Sequence, residues 1–254
     1  MGREYKIWNN GNKCAIALVD EYSYVNPDDV LCTDDGFGIL GTNLKNYDIS
    51  YGNSYQNEIL KTTSDVFYWV MREQKIKSFN FTAKNLIKEF SETYINADGE
   101  EVKIEDKEMS VEELTALLLD MADNECFGSE DMFNIIINTN FENFIIKQFF
   151  AYIHSDISIS LRDYKDPWDS GIAGFTWLEP YGKESEENME KYFAEDFQTY
   201  KEVIEGEYVT VDVSVFEKEN GEWKNIDRYT TFEKSIEDAW ESLDYAINNE
   251  VECF

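Results

Sequence analysis

The chain has 254 residues, of which 53 are Asp or Glu and 22 are Lys or Arg, so its formal net charge is −31. This charge disfavours direct binding of nucleic acid, because contacts to phosphates need clustered Lys and Arg. A disordered acidic tail is excluded, because 43% of the residues are hydrophobic and 15% are aromatic, which is enough to form a buried core.

No stretch of the sequence predicts contact with a membrane. Residues 1–8 lack the apolar core of a signal peptide, and no apolar run approaches the length that spans a bilayer. The cysteines are far apart and form no C-x-x-C pair, which indicates neither a zinc site nor a small disulfide scaffold. We therefore expect a protein of the reducing cytosol without a metal or cofactor. The cysteines are Cys14, Cys32, Cys126 and Cys253.

The first part of the chain predicts a β-hairpin followed by a long loop. Residues 5–19 form two short strands on either side of Asn10-Gly11, the strongest short signal for a hairpin turn. Residues 20–41 are rich in Asp, Asn and Gly and predict a plain loop, since their spacing does not match a calcium loop. The glycine-rich segment at 36–41 lacks the Gly-Lys of a phosphate-binding loop, so we predict no nucleotide site there.

Amphipathic helices are predicted next, over residues 58–72, 83–95 and 110–124. The third begins at a capping box, in which Ser110 and Glu113 satisfy each other's backbone amides. Residues 132–137 and 141–150 are apolar enough to be either strand or helix, and the sequence leaves both assignments open.

The middle of the chain predicts a second hairpin with a structured loop. Residues 153–161 alternate between apolar and polar side chains, the pattern of a half-buried strand, and residues 172–178 are the predicted partner. The loop at 166–171 concentrates turn formers, because Pro167 fixes φ and Gly171 permits a positive φ.

Three segments of this hairpin have a recognisable spacing: Tyr152-Ile153-His154-Ser155, Ile157-Ser158-Ile159-Ser160 and Pro167-Trp168-Asp169-Ser170-Gly171, followed by Gly174-Phe175. Over roughly residues 152–177 the chain resembles a family of small proteins encoded by phages and mobile elements, which carry a His-Ser-Gly strand and a Trp-Asp-Ser-Gly loop. Asp156 stands where the family usually has Gly, and Asp166 where it often has Cys. The resemblance implies a viral or mobile-element origin and no particular reaction.

The last part of the chain predicts a long acidic helix, a third hairpin and a final helix, over residues 185–206, 208–216 with 223–232, and 235–249. Gly206 is the expected end of the long helix, the turn at Asn220-Gly221 joins the two strands, and Ser235 caps the final helix.

Together these elements predict an α+β fold in which several amphipathic helices pack against antiparallel hairpins. The strand-rich second half favours a division into residues 1–140 and 141–254, with one continuous domain as the alternative. No internal repeat or low-complexity linker separates the halves.

The favoured functional hypothesis is mimicry of nucleic acid. B-DNA carries about one charge per 1.7 Å of axis, and a helix of about twenty residues spans about 30 Å, so an acidic helix face can occupy a basic channel. Together with the resemblance, this favours a phage anti-defence inhibitor that binds a basic nucleic-acid-binding host protein, such as a CRISPR-Cas or restriction nuclease, without catalysis. A merely solvated acidic surface is the alternative interpretation. The predicted face comprises Glu186, Glu187, Glu190, Glu195, Asp196 and Glu202.

An enzyme is the second functional hypothesis. His154 is the single histidine, so any mechanism that needs an imidazole must use it. With Asp156, Asp166 and Asp169 it could hold a divalent metal for metal-assisted hydrolysis of phosphoesters. A hydrogen-bonded structural histidine is the competing interpretation. The sequence predicts no oligomeric state.

Overall fold

The structure is a computed structural model that describes residues 4–9, 11–20, 25–31, 36–44, 49–55, 58–154, 156–179 and 186–241. The helices are α1 (Thr63–Glu73), α2 (Ala83–Glu89), α3 (Val111–Asp123), α4 (Ser129–Ile137) and α5 (Glu186–Ile204), with a 3-10 turn at Pro27–Asp29 and further helix at 236–241. The strands are β1 (Glu4–Asn9), β2 (Lys13–Asp20), β3 (Phe37–Gly41), β4 (Ser50–Tyr51), β5 (Ser54–Tyr55), β6 (Glu58–Ile59), β7 (Ile76–Phe79), β8 (Thr93–Ile95), β9 (Glu101–Lys103), β10 (Thr139–Phe141), β11 (Ile145–Ile153), β12 (Ile157–Ser160), β13 (Ser170–Leu178), β14 (Val209–Glu219) and β15 (Glu222–Glu233). These helices and antiparallel strands confirm the predicted α+β class.

The chain forms two compact units that interleave along the sequence. The first unit comprises Met1–Cys32, Ser155–Ser158 and Asp196–Phe254, and the second comprises Thr33–His154 and Ile159–Glu195. The strand β12 and the helix α5 contribute residues to both units. The units therefore do not follow the predicted halves 1–140 and 141–254, because the two ends of the chain build one sheet.

The first unit is built on a four-stranded antiparallel sheet in the order β1-β2-β14-β15. It contains the first and third predicted hairpins. The turn between β14 and β15 has φ values of 52° at Asn220 and 88° at Gly221, as a type I′ turn requires. β2 pairs with β14, so that Val19 lies opposite Val211. The core of this unit is formed by small and β-branched side chains: Ala17, Val19, Val211, Val213 and Ala239.

The second unit contains α1 to α4 and a five-stranded sheet in the order β12-β11-β13-β3-β4. β13 is its central strand, antiparallel to β11 on one side and to β3 on the other. α4 packs on β13, since the Phe133 ring stacks on the Phe175 ring with centroids 4.4 Å apart. Fully buried side chains in the core of this unit include Val66, Phe67, Leu118, Ile136 and Phe175.

The glycine-rich segment at 36–41 contains the strand β3, so the prediction of a loop is wrong here. β3 is buried on both faces, which hides the alternation typical of a half-buried strand. Its glycines allow close packing, because a Cβ at Gly38 would lie 2.2 Å from the Trp177 indole. Similarly, a Cβ at Gly174 would lie 2.0 Å from the Leu40 carbonyl oxygen.

The central hairpin is paired differently from the prediction. The predicted hairpin makes β12 and β13 neighbours, but β11 lies between them in the sheet. The run at 141–150, left open between helix and strand, supplies most of β11. β11 and β13 each have nine residues whereas β12 has four, so pairing β11 with β13 forms the longer ladder of hydrogen bonds.

The helix predictions are most accurate where side chains cap the ends. α3 begins after Ser110, whose Oγ accepts the Glu113 N–H at 3.2 Å while the Glu113 carboxylate accepts the Ser110 N–H at 2.8 Å. The helix predicted over 83–95 is too long. α2 ends at Glu89, because Thr93–Ile95 pairs with Glu101–Lys103 in a small hairpin.

The structure also assigns residues 132–137, the long acidic helix and the final helix. Residues 132–137 belong to α4, and the long acidic helix is α5, followed by Gly206 at a φ of 73°. Ser235 caps the final helix as predicted, since its Oγ accepts the Asp238 N–H at 3.0 Å. The predicted extension of this helix from residue 242 to residue 249 lies outside the described residues. Within the described part of the chain, every helix is too short or too polar to cross a membrane.

Candidate functional site

The acidic face predicted on α5 is only partly exposed. Glu187, Glu190 and Glu195 lie on the exposed side of the helix, whereas Asp196 is half-buried. The side chain of Glu186 lies outside the described residues. The predicted face therefore reduces to three exposed carboxylates in the second unit.

Two of these three carboxylates have cationic partners. Glu190 Oε2 lies 2.5 Å from Lys147 Nζ, which also sits 4.9 Å from the centroid of the Phe193 ring. Glu195 Oε1 lies 3.8 Å from Lys191 Nζ, one helical turn away. The unpaired negative charge of this face is therefore lower than the sequence predicts.

Glu202 is not part of an exposed acidic face, which corrects the prediction. The residue is 7% exposed, its Oε2 lies 2.6 Å from Lys234 Nζ, and its Oε1 accepts a hydrogen bond from Gln198 at 2.9 Å. Burial raises the pKa of this carboxyl, but the hydrogen bonds from Lys234 and Gln198 outweigh burial and hold the pKa below its usual value. Glu202 therefore acts as a structural residue of the first unit.

The strongest concentration of negative charge lies in residues 92–131, which we call the acidic segment. Its fourteen carboxylates and two lysines give a net charge of −12 in 40 residues, against −19 in the other 214. All fourteen are exposed except Asp131, which is half-buried. A count of charges in short windows would have found this segment in the sequence. The carboxylates are Glu92, Asp98, Glu100, Glu101, Glu105, Asp106, Glu108, Glu112, Glu113, Asp120, Asp123, Glu125, Glu130 and Asp131.

Local structure explains why the acidic segment faces solvent. It consists of the β8–β9 hairpin, α3 and the start of α4, and α3 buries the apolar side chains Leu114, Leu118 and Met121. The carboxylates must then occupy the remaining faces. Acidic residues also stabilise the beginning of a helix, where backbone N–H groups are unpaired.

Few carboxylates of the acidic segment are neutralised. In the described part of the chain, ion pairs join Asp123 to Arg72 at 3.6 Å and Glu105 to Lys107 at 2.7 Å. Asp120 accepts a hydrogen bond from the Tyr94 hydroxyl. Burial, together with this bond to Asp120, raises the pKa of Tyr94, so the phenol stays protonated and remains a hydrogen-bond donor.

The net charge of the acidic segment can be compared with the charge of duplex DNA. Since duplex DNA carries about one charge per 1.7 Å, a net charge of −12 corresponds to about 20 Å of duplex. The acidic segment therefore carries a net charge equal to that of about six base pairs of duplex.

The predicted histidine site is a pair and not a cluster. His154 Nδ1 lies 3.1 Å from Asp169 Oδ2, and the imidazole is 72% exposed. Asp166 Oδ1 instead accepts the backbone N–H groups of Trp168 and Asp169, each at 2.9 Å, and these bonds lower its pKa. Asp156 is exposed and belongs to the first unit. Among the described residues, no three His, Cys, Asp or Glu side chains form a group that could hold a metal ion.

The thiols of the described cysteines, Cys14 and Cys126, are free. Both are half-buried, and burial raises the pKa of Cys126, which disfavours the nucleophilic thiolate. Cys32 and Cys253 lie outside the described residues.

Two concave surfaces lie among the described residues of the second unit. The larger, about 480 Å³, lies between β7, β10, the start of β11 and α5, and its charged lining residues are Lys77, Lys147 and Glu190. The smaller, about 300 Å³, has four asparagines and two carboxylates among its lining residues: Asn80, Asn85, Asn134, Asn138, Glu89 and Asp131. Neither lining contains a histidine or cysteine, so neither supplies a histidine base or a thiol nucleophile.

Comparisons with known proteins do not assign a family. No protein-family model, curated protein or solved structure matches the chain. The resemblance of residues 152–177 to phage and mobile-element proteins stays a prediction.

Proposed function

We propose that this protein is a non-enzymatic inhibitor that occupies the nucleic-acid-binding surface of a basic partner protein. The observation that supports the proposal is the acidic segment, with a net charge of −12 and thirteen of its fourteen carboxylates exposed. A surface that binds phosphates uses clustered Lys and Arg, and the same cations attract carboxylates. Binding then requires only occupancy of that surface.

The resemblance to phage and mobile-element proteins supports a nuclease of the host as the partner, of the CRISPR-Cas or restriction type, met in the host cytosol. Such a partner has a basic channel that must stay accessible to its substrate. A bound acidic segment, with the charge of about 20 Å of duplex, would block that channel.

A pull-down from a phage-sensitive bacterial lysate tests the proposal. We expect the tagged protein to retain a basic nuclease subunit or complex at about 0.05 M NaCl and to release it at about 0.5 M, because salt screens the interaction. Duplex DNA should displace the same partner, since both occupy one surface. Recovery of no basic partner, or of a partner that DNA does not displace, would contradict the proposal.

Two sets of variants locate the binding surface. The triple change Glu101→Gln, Asp106→Asn and Glu108→Gln removes three charges from the acidic segment and should weaken retention more than tenfold at low salt. The matched change Glu187→Gln, Glu190→Gln and Glu195→Gln on α5 should leave it almost unchanged. If the α5 variant instead lost more retention than the acidic-segment variant, the binding surface would lie on α5, as the sequence alone predicts.

Metal-assisted hydrolysis is the second candidate, and of its predicted site the His154–Asp169 contact is the part that remains. If that candidate were correct, the purified protein would hydrolyse a phosphodiester with Mg²⁺, Mn²⁺ or Zn²⁺, and His154→Ala would abolish the activity. We expect no turnover with these ions and unchanged partner binding by His154→Ala. Turnover that depends on His154 would establish the enzyme instead.

A further inference from the structure

The loop between β12 and β13 presents aromatic side chains outside the acidic segment. Trp168 is 89% exposed, the largest exposure among the large hydrophobic residues in the described ranges. Beside the loop, the Tyr152 ring centroid lies 5.7 Å from that of Tyr164 and 6.5 Å from that of His154. We call Tyr152, Tyr164 and Trp168, with the loop carboxylates Asp163, Asp166 and Asp169, the Trp168 patch.

The backbone of the Trp168 patch is fixed by hydrogen bonds within the loop. The Asp166 carboxylate accepts the N–H groups of Trp168 and Asp169, and the Ser170 hydroxyl donates to the Asp166 carbonyl at 2.6 Å. The Ile153 N–H donates to the Asp169 carbonyl at 2.8 Å, which ties the loop to β11. Trp168 is therefore exposed on an ordered turn, so little backbone ordering is needed on binding.

The carboxylates of the Trp168 patch keep hydrogen-bonding capacity for a partner. Asp163 Oδ1 accepts the Lys165 N–H at 2.9 Å, Asp166 uses Oδ1 for the two backbone amides, and Asp169 Oδ2 faces His154. In the part of the chain that the structure describes, the second oxygen of each of these carboxylates has no hydrogen-bond partner. The patch thus combines aromatic faces with acceptor oxygens.

We propose that the Trp168 patch receives an arginine side chain of the partner protein, an inference that rests on the proposed function. A guanidinium stacks on an aromatic face and donates two parallel hydrogen bonds to a carboxylate, so it uses both parts of the patch. A lysine ammonium is a compact point charge and uses them less well. A stacked nucleobase would bring its phosphate towards three aspartates, which repel it.

Titration of the full chain with short peptides tests this assignment. The probes are a Gly-Arg repeat, a Gly-Lys repeat and a Gly-citrulline repeat of equal length, observed through the ¹⁵N-labelled indole N–H signals. We expect the Gly-Arg peptide to shift the Trp168 signal most, and Trp168→Ala to weaken its affinity about tenfold. Trp168→Phe should retain most of the affinity, because an aromatic face remains. Trp223→Ala, which removes another exposed tryptophan (42%), is the matched control and should change nothing.

Three results would overturn the inference. The first is equal affinity for the Arg and Lys peptides with no effect of Trp168→Ala, because the attraction would then be charge alone. The second is preferential binding of a single-stranded oligothymidine at Trp168, which would indicate nucleobase stacking. The third is equal capture of the lysate partner by the wild-type chain and by Trp168→Ala. That result would exclude a role for the Trp168 patch but would leave the proposed function supported. Capture of no basic partner by the wild-type chain would contradict the proposed function itself.

Discussion

Glu202 stabilises the first unit through its charge. Its side chain is 10% exposed and meets Lys234, whose side chain is 56% exposed, so one partner is largely desolvated and the other reaches water. A buried carboxylate is tolerated only when it has partners, and here Lys234 forms an ion pair with Oε2 while Gln198 donates to Oε1. The sequence cannot reveal this role, because Lys234 lies 32 positions further along the chain.

Glu202→Gln is expected to lower the free energy of unfolding by about 2 kcal/mol at pH 7, since it removes a charge-assisted hydrogen bond in a buried site. The folded-state pKa of Glu202 lies below its ordinary value. The stability that it adds is therefore present above the unfolded pKa, about 4.3, and is lost as pH falls through the folded pKa. Urea unfolding from pH 7 to pH 3 should show the difference between wild type and variant shrinking towards acid.

The exposed neighbour Glu207 supplies the control for this measurement. Glu207→Gln should change the free energy of unfolding by less than about 0.5 kcal/mol. An equal loss in both variants, or a Glu202→Gln difference that does not depend on pH, would contradict the structural role assigned to Glu202.

At the scale of the elements, turn and cap signals in the sequence predict some helices and strands, whereas the pairing of other strands depends on long-range packing. The sequence signals Asn10-Gly11, Asn220-Gly221 and Ser110 act within a few residues, so the sequence predicts the two hairpins and the helix start. The pairing of β13 with β3 depends on a close contact between Gly38 and Trp177, which are far apart in the chain. No local pattern encodes such a contact.

Gly38→Ala tests the close packing of β3 on β13. The new Cβ would lie 2.2 Å from the Trp177 indole, so the ring or the strand must move, and we expect a loss of about 3 kcal/mol. Gly171→Ala on β13 is the matched control, because nothing lies within 4 Å of its Cβ position, and it should be neutral within about 0.5 kcal/mol. Thermal melts that rank the two variants the other way would contradict this account of the sheet.

At the scale of the whole molecule, the charge is uneven as well as large. The sequence shows the net charge of −31 but predicts a binding face on α5, because a long helix with a regular acidic side gives a clear pattern. The acidic segment spans a hairpin, a helix and a helix start, so its carboxylates follow no single period. The exposure of thirteen of the fourteen carboxylates became clear only from the structure.

This charge is expected to make the folded chain sensitive to salt. Mutual repulsion of carboxylates destabilises the compact state and is screened by ions, so raising NaCl from about 0.05 M to about 0.5 M should raise the Tm by about 3–5 °C. The triple variant Glu101→Gln, Asp106→Asn and Glu108→Gln should show a smaller rise. A Tm that falls with salt, or that rises equally in both proteins, would show that repulsion within the acidic segment is not a significant cost.

The pairing of β2 with β14 also has a consequence for biosynthesis. Val19 and Val211 face each other across that pair, although about 190 residues separate them. A ribosome adds about 5–20 residues per second, so the amino-terminal hairpin waits about 10–40 s before its partner strand is made. During this interval the backbone N–H and C=O groups along one edge of β2 lack the neighbour that they have in the finished sheet. The sheet of the first unit can be completed only after β14 and β15 have been synthesised.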